Sequence, residues 1–188
     1  MSQENVEVVR KPLRARERSS RTLDQRLSLR FPRLAAAYLR RIGRLPPGSR
    51  LRQATLWRGA RLGLEAYNRR DLDAVVIGWH PEFEYHTGRE WAQSGLVESC
   101  YRGLEGYRRY LATVDEVWGR ENYLKPVELI DLGERTVVLA DGRMRAQDSG
   151  VPLAEAFALV MTLKDGRVIH LQEYYDHAEA LEATGLSE

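Results

Sequence analysis

The chain is expected to fold as an α+β domain, with helices gathered on one face of a curved, mostly antiparallel sheet. Three observations predict this. Apolar residues recur at helical spacing from Leu34 to Tyr67 and again from Tyr107 to Trp118. Later segments alternate apolar and polar residues with the period of two that marks a half-buried strand. Turn signals at Gly133-Glu134, Asp148-Ser149-Gly150 and Lys164-Asp165-Gly166 divide those segments into hairpins. Early helices followed by late antiparallel strands are the α+β pattern.

The elements follow in order. Leu23, Leu27 and, after Pro32, Leu34 allow a weak amphipathic helix. Leu34 to Ile42 is a better one, stopped by Gly43 and Pro46-Pro47. Ser49 can cap a helix running from about Leu51 to Tyr67, with Leu56, Ala60, Leu64 and Tyr67 on one face. Asn68 is a suitable helix end, and Asp71 a suitable start for a second helix, Leu72 to Trp79, ended by Pro81. Phe83 and Tyr85 alternate with Glu84 and His86 as a strand. Residues 88–100 read as a loop. Tyr101-Arg102-Gly103 leads into a helix striped by Tyr107, Tyr110, Leu111, Val114, Val117 and Trp118. Strands are expected over Leu124 to Leu132, Thr136 to Ala146, Leu153 to Leu163 and Val168 to Tyr175, and a short last helix capped by Asp176 and ended by Gly185.

Composition bounds the function classes. The 188 residues suffice for one good core. No apolar run approaches the roughly 18 residues of a membrane span, so no membrane partner is expected. The polar, acidic start Met1 to Asn5 lacks the basic and apolar stretches of a secretory signal. With Cys100 the single cysteine, no intrachain disulfide can form, and a cytoplasmic location is the simplest expectation. The net charge of +2 hides an asymmetry: residues 1–61 carry 16 Arg or Lys against 4 acids, and residues 62–188 carry 13 against 23. An acidic body and a basic arm suit different partners, and one partner for the arm is the body itself, in cis or across a dimer. No HExxH, CxxC, GxSxG, Walker or GxGxxG motif occurs.

The segments Glu65-Ala66-Tyr67-Asn68-Arg69-Arg70-Asp71-Leu72-Asp73-Ala74, His80-Pro81-Glu82-Phe83-Glu84-Tyr85 and Tyr101-Arg102-Gly103-Leu104-Glu105-Gly106 stand in order. Leu163 to Ile169 and Glu173 to Leu181 complete the series. Together these segments, over roughly residues 60–186, resemble the SnoaL-like proteins of the nuclear transport factor 2-like superfamily. The resemblance implies a cone, a bent sheet wrapped round helices with an apolar cavity at its open end, and a homodimer. It implies a domain over residues 51–188. Residues 1–50 then form an added basic, arginine-rich, partly helical extension, although Met1 to Arg10 resembles the usual opening of such proteins.

Fold alone does not settle chemistry in such a superfamily. Steroid-type isomerisation in the family would place a base near Thr87, an acid near Leu159 and a tyrosine near Gly63, and all three positions depart from that pattern. Epoxide hydrolysis would use two carboxylates bridged by an arginine. Glu173 falls at one of those positions, Arg143-Met144-Arg145 stands at the Arg-x-Asp element, and Asp141 or Asp148 is the nearest candidate for the second acid. Cyclases of the SnoaL type need one acid or base over an apolar cavity, for which His86, Glu173 or His170 could serve.

Strand periodicity puts Leu171, Glu173 and Tyr175 on one side and His170, Gln172 and Tyr174 on the other. Glu173 is therefore the candidate catalytic group, with Trp79, Tyr85, Thr87, Arg145, Phe157 and Tyr175 as candidate pocket residues. A carboxylate among Tyr85, Phe157 and Tyr175 would have a raised pKa, suited to acid or base work. The bland readings are that Glu173 is exposed or arginine-paired, that the aromatic residues are core, that His80 ends a helix and that His86 is a surface residue. Glu173 and His177 straddle a strand–helix boundary, so no metal site is expected, nor any cofactor. Cys100 lacks an evident His partner and reads as a buried small residue.

The reading that results is a cavity protein for a small apolar or polyketide-like ligand, with cyclase, isomerase or hydrolase-type chemistry at Glu173. The alternative is a non-catalytic dimerising or ligand-sensing module whose arm meets an acidic protein or nucleic acid. No nucleic-acid-binding motif supports the last partner.

Overall fold

A computed structural model describes residues 20–119, 122–145 and 152–186 of the chain. Two helices come first, α1 (Leu23–Arg30) and α2 (Pro32–Gly43), followed by the long α3 (Arg50–Asn68) and the one-turn α4 (Leu72–Val75). Then come β1 (Trp79–His86), α5 (Arg89–Ser94), β2 (Cys100–Arg102) and α6 (Gly103–Trp118). Strands β3 (Tyr123–Asp131), β4 (Arg135–Arg145), β5 (Pro152–Lys164) and β6 (Arg167–Tyr174) precede the last helix, α7 (His177–Glu182). The six strands form one sheet in the order β2-β1-β6-β5-β4-β3, in which only the β1–β6 pair is parallel. The fold is α+β, as the alternation of periods predicts.

The Asn68–Asp71 corner shows why that sequence ends one helix and turns the chain. Arg70 takes a left-handed φ of 59°, which stops α3 and lets Asp71 N–H reach back to Ala66 O at 2.9 Å. The Asn68 amide then acts as a piece of strand: its Nδ2 donates to Leu124 O at 2.8 Å and its Oδ1 accepts from Leu124 N–H at 2.9 Å. The end of α3 is thereby fixed to the start of β3.

Five sequence expectations need correction around β1. The helix after Asp71 lasts only to Val75, and Val76–Gly78 is a 3-10 turn. Val75, Val76 and Ile77 are stiff β-branched residues and Gly78 a weak helix former, so the helical period yields there. Trp79 instead opens β1, where its ring meets Phe83 edge-on at 4.7 Å and Tyr107 at 5.0 Å. Pro81 lies inside β1 rather than ending a helix, at a register shift between Trp79 and Glu84 where its missing N–H breaks no ladder. His80 is likewise a strand residue, its Nδ1 accepting from Glu82 N–H at 3.2 Å. Asp71 does not cap α4 through its side chain, because Arg21 holds both carboxylate oxygens, at 2.7 and 2.8 Å. The segment read as a loop over 88–100 contains α5 and the first residue of β2.

The remaining caps form as the sequence implies. Ser49 Oγ accepts from Arg52 N–H at 3.4 Å, and Asp176 Oδ1 accepts from Ala178 N–H at 2.6 Å and Glu179 N–H at 3.1 Å.

The first two helices lie against the body at several places. Thr22 and Gln25 make a reciprocal capping box at the start of α1, and the buried Gln25 amide donates on to Leu62 O of α3 at 3.3 Å. Gly43 of α2 meets Gly166 at the tip of the β5–β6 hairpin so closely that a Cβ on Gly166 would stand 2.0 Å from Leu39 O. Arg52, 2% exposed, pairs with buried Asp131 through bonds of 2.6 and 2.9 Å and also donates to Gly43 O, Leu45 O and Gly133 O. Every donor direction of that guanidinium is used, which is what a buried arginine requires.

Candidate functional site

The core lies between the inner face of the sheet and helices α3 and α6. Position on β6 depends on one irregularity. Leu163 pairs with Val168 and Thr162 with His170, so Ile169 is an extra residue in that strand. The bulge lets Val168 and Leu171 both face inward, and Glu173 follows on the same side. Glu173 is 2% exposed.

A buried carboxylate must be supplied with donors, and Glu173 has four. Oε1 accepts from the hydroxyls of Tyr85 on β1 and Tyr110 on α6. Oε2 accepts from Tyr175 OH at 3.1 Å and from Gly88 N–H at 3.3 Å. Gly88 is required there, because a Cβ at that position would sit 2.5 Å from the Tyr175 ring. Burial pushes the Glu173 carboxyl above its ordinary value of 4.5, and the bonds from Tyr110, Tyr85, Gly88 and Tyr175 oppose that rise without cancelling it. The phenols of Tyr85, Tyr110 and Tyr175 are pushed well above their ordinary range, first by burial and then by the Glu173 charge. They remain protonated donors at any physiological pH.

Glu173, Tyr85 and Tyr110 are among the polar residues that line a cavity of about 810 Å³. Trp79, Tyr107, Trp118, Phe157, Leu159 and Met161 supply much of the apolar wall. Leu159 sits directly across the β5–β6 ladder from Glu173. Thr136 lines the cavity with a buried hydroxyl that has no hydrogen-bond partner among the described residues. The outer end of the cavity is lined by α1 and α2, through Leu27, Phe31, Leu34, Tyr38 and Ile42 among others. The added helices thus contribute to the cavity, which the sequence reading did not anticipate.

The structure brings some of the sequence-derived candidates together and separates others. Glu173, Trp79, Tyr85 and Phe157 line the cavity. Tyr175 lies behind the carboxylate, against Phe157 and Trp118, and touches the site only through its hydroxyl. Thr87 is buried but is no part of the lining: its hydroxyl donates to Glu98 O at 2.9 Å and its carbonyl accepts from Gln172. The Arg145 side chain and Asp148 lie outside the described residues. Arg143 and Asp141 point outward and are exposed, so they do not form the arginine-bridged acid pair beside Glu173. His177 is occupied elsewhere, its Nε2 3.1 Å from both Ala140 O and Phe157 O. In the sequence Tyr110 and Tyr107 read only as part of an apolar helix stripe. The missed signal was chemical, since two phenols on a buried stripe oblige the fold to supply acceptors.

On the opposite face of the same strands, Glu84, His86 and Cys100 gather, with Cys100 Sγ 3.9 Å from His86 Nε2. Cys100 therefore has a histidine neighbour and is only half-buried, contrary to the sequence reading.

Residues 60–171 match the model of the SnoaL-like domain. The chain belongs to the SnoaL-like family. Solved structures agree in fold. An NTF2-like protein of unknown function from Burkholderia pseudomallei shares 27% identity over 67% of this chain and 94% of its own, with a TM-score of 0.57. TerC, crystallised with polyporic acid, shares 24% identity over 67% of this chain and 95% of its own, with a TM-score of 0.56. A putative SnoaL-like polyketide cyclase from Jannaschia shares 19% identity over 74% of this chain and 96% of its own, with a TM-score of 0.52. No curated protein matches the chain. Among the described residues, no helix is long and apolar enough to cross a membrane.

Proposed function

We propose that this SnoaL-like protein binds a small, largely apolar carbonyl or phenolic compound of polyketide-like chemistry and moves a proton on it through Glu173. The observation that carries the reading is a buried carboxyl at the cavity wall whose protonation is coupled to two cavity-lining phenols, Tyr85 and Tyr110. The cavity volume of about 810 Å³ falls in the range of small-molecule sites. The fold neighbours crystallised with polyporic acid and named as a polyketide cyclase support the ligand class.

Both oxygens of ionised Glu173 are saturated with donors, so a ligand does not reach it by simple addition. Proton transfer opens the network. A ligand hydrogen next to a carbonyl passes to a phenol oxygen as that phenol passes its own proton to Glu173. The neutral acid then accepts fewer bonds, and one phenol is released to donate to the enolate oxygen just formed. The return of the proton to a different atom completes an isomerisation or closes a ring. The raised pKa makes the carboxyl a better base for this step than an exposed glutamate.

The test uses β-tetralone, a neutral aromatic ketone with exchangeable hydrogens beside its carbonyl, together with polyporic acid. Quenching of Trp79 and Trp118, which line the cavity, should report saturable binding, weakened in Leu159→Trp, which fills the space. Protein-catalysed deuterium exchange into β-tetralone should fall about a hundredfold in Glu173→Gln. No saturable binding of either compound, or exchange indifferent to Glu173→Gln, contradicts the proposal.

A further inference from the structure

We propose that the outer face of β1, β2 and β6 carries a binding site for a zinc-class divalent metal ion, held by Glu84, His86, Cys100 and His170. The sheet register assembles it. His86 pairs with Cys100 across β1–β2, and Glu84 pairs with His170 across β1–β6. These positions share the face opposite Tyr85, Leu171 and Glu173, so the four side chains project to one side. Three potential donors, Glu84, His86 and Cys100, converge on a patch that the cavity does not use, and His170 stands beside Glu84 as a fourth.

The spacings suit one ion. A tetrahedral zinc with bonds of about 2.0–2.3 Å separates its ligand atoms by about 3.3–3.7 Å. Here Glu84 Oε2 lies 3.3 Å from His86 Nε2 and 3.5 Å from His170 Nδ1, and His86 Nε2 lies 3.9 Å from Cys100 Sγ. The Glu84, His86 and Cys100 atoms all fall within 4.8 Å of one another and form the core of the site, whereas His170 lies outside that group and approaches it at Glu84. Arg102 Nε holds the other oxygen, Oε1, at 2.8 Å, which fixes the carboxylate and leaves Oε2 facing the histidines. One thiol, two imidazoles and one carboxylate select a borderline metal such as zinc over magnesium or calcium, which prefer oxygen alone. The side chains are only partly buried, so an ion can reach them from solvent. A metal here would join the edge strand β2 to β1 and β6, closing the segment that carries Gly88.

Cobalt is the spectroscopic probe and zinc the competitor, both with the full-length protein under reducing conditions. Cobalt should bind one equivalent with intense visible bands and a thiolate-to-metal charge-transfer band, all abolished by one equivalent of zinc. Cys100→Ser should lose the charge-transfer band, and His86→Gln and His170→Gln should each weaken binding about tenfold or more. His80→Gln should leave binding unchanged. A second readout needs no variant: Cys100 is the single cysteine, so zinc should slow its alkylation by iodoacetamide. A cobalt spectrum without thiolate character, or an alkylation rate unaffected by zinc, overturns the proposal.

Discussion

Strands β1 and β6 with their neighbour β2 carry a carboxylate on each face, and the two faces treat it in opposite ways. Inside, Glu173 is sealed among phenols and a backbone N–H, and burial raises its pKa above 4.5. Outside, Glu84 meets Arg102, His86 and His170 in partial contact with water, and the Arg102 bond lowers its pKa below 4.5. The alternation of side chains along β1 and β6 separates the two environments. Neutral donors in a dry site make an acid whose proton is poised to move. Charged donors in a wet site make a permanent anion, useful for holding a cation.

The comparison can be broken most forcefully by removing buried charge. Arg52→Ala leaves Asp131 buried without its partner and should cost about 3–5 kcal/mol by urea denaturation, whereas loss of the half-exposed Arg58–Asp24 pair should cost a few tenths. Glu173→Leu strands the Tyr85 and Tyr110 hydroxyls and the Gly88 N–H and should cost about 3 kcal/mol. Tyr110→Phe removes one donor, costs about 1 kcal/mol and raises the Glu173 pKa further, since a bond favouring the ionised form is lost. Glu84→Gln should leave the denaturation midpoint nearly unchanged, because its partners are solvated. A large loss there, or a small one at Glu173, would show that the two faces are not as different as their geometry.

The pH dependence sharpens the same contrast. Folded Glu173 binds its proton more tightly than it does in the unfolded chain. Its stabilising contribution is full below 4.5 and is lost as pH rises through the raised folded value. Glu84 behaves oppositely, contributing above 4.5 and losing that contribution as pH falls through its lowered value. The stability of wild type relative to Glu173→Gln should therefore decline as pH rises above 4.5 through the raised folded value. A flat or rising difference would contradict the assignment.

Much of this contrast was legible in the sequence. The period of two in Leu171-Gln172-Glu173 placed Glu173 opposite His170 and Gln172, and the Asn68–Asp71 corner fixed the fold around it. What stayed hidden was pairing at a distance. Tyr110 stands 63 residues from Glu173 and reads as one more apolar position on a helix until β6 is laid against α6. His86 and Cys100, 14 residues apart, meet only because β1 and β2 pair in that register, and α5 within the connecting segment gave no clear periodicity. The early end of α4 was missed for a simpler reason: Trp79 fits the helical period, but its ring contributes more to the core from a strand.

The most direct measurement is a pH titration of the Glu173 side-chain carboxyl carbon by nuclear magnetic resonance, assigned against Glu173→Gln. A midpoint clearly above 4.5, moving higher in Tyr110→Phe, is the expected result. A midpoint at or below 4.5 would mean that the phenols hold the carboxylate as a fixed structural anion, and the proton-transfer role assigned to it would fail.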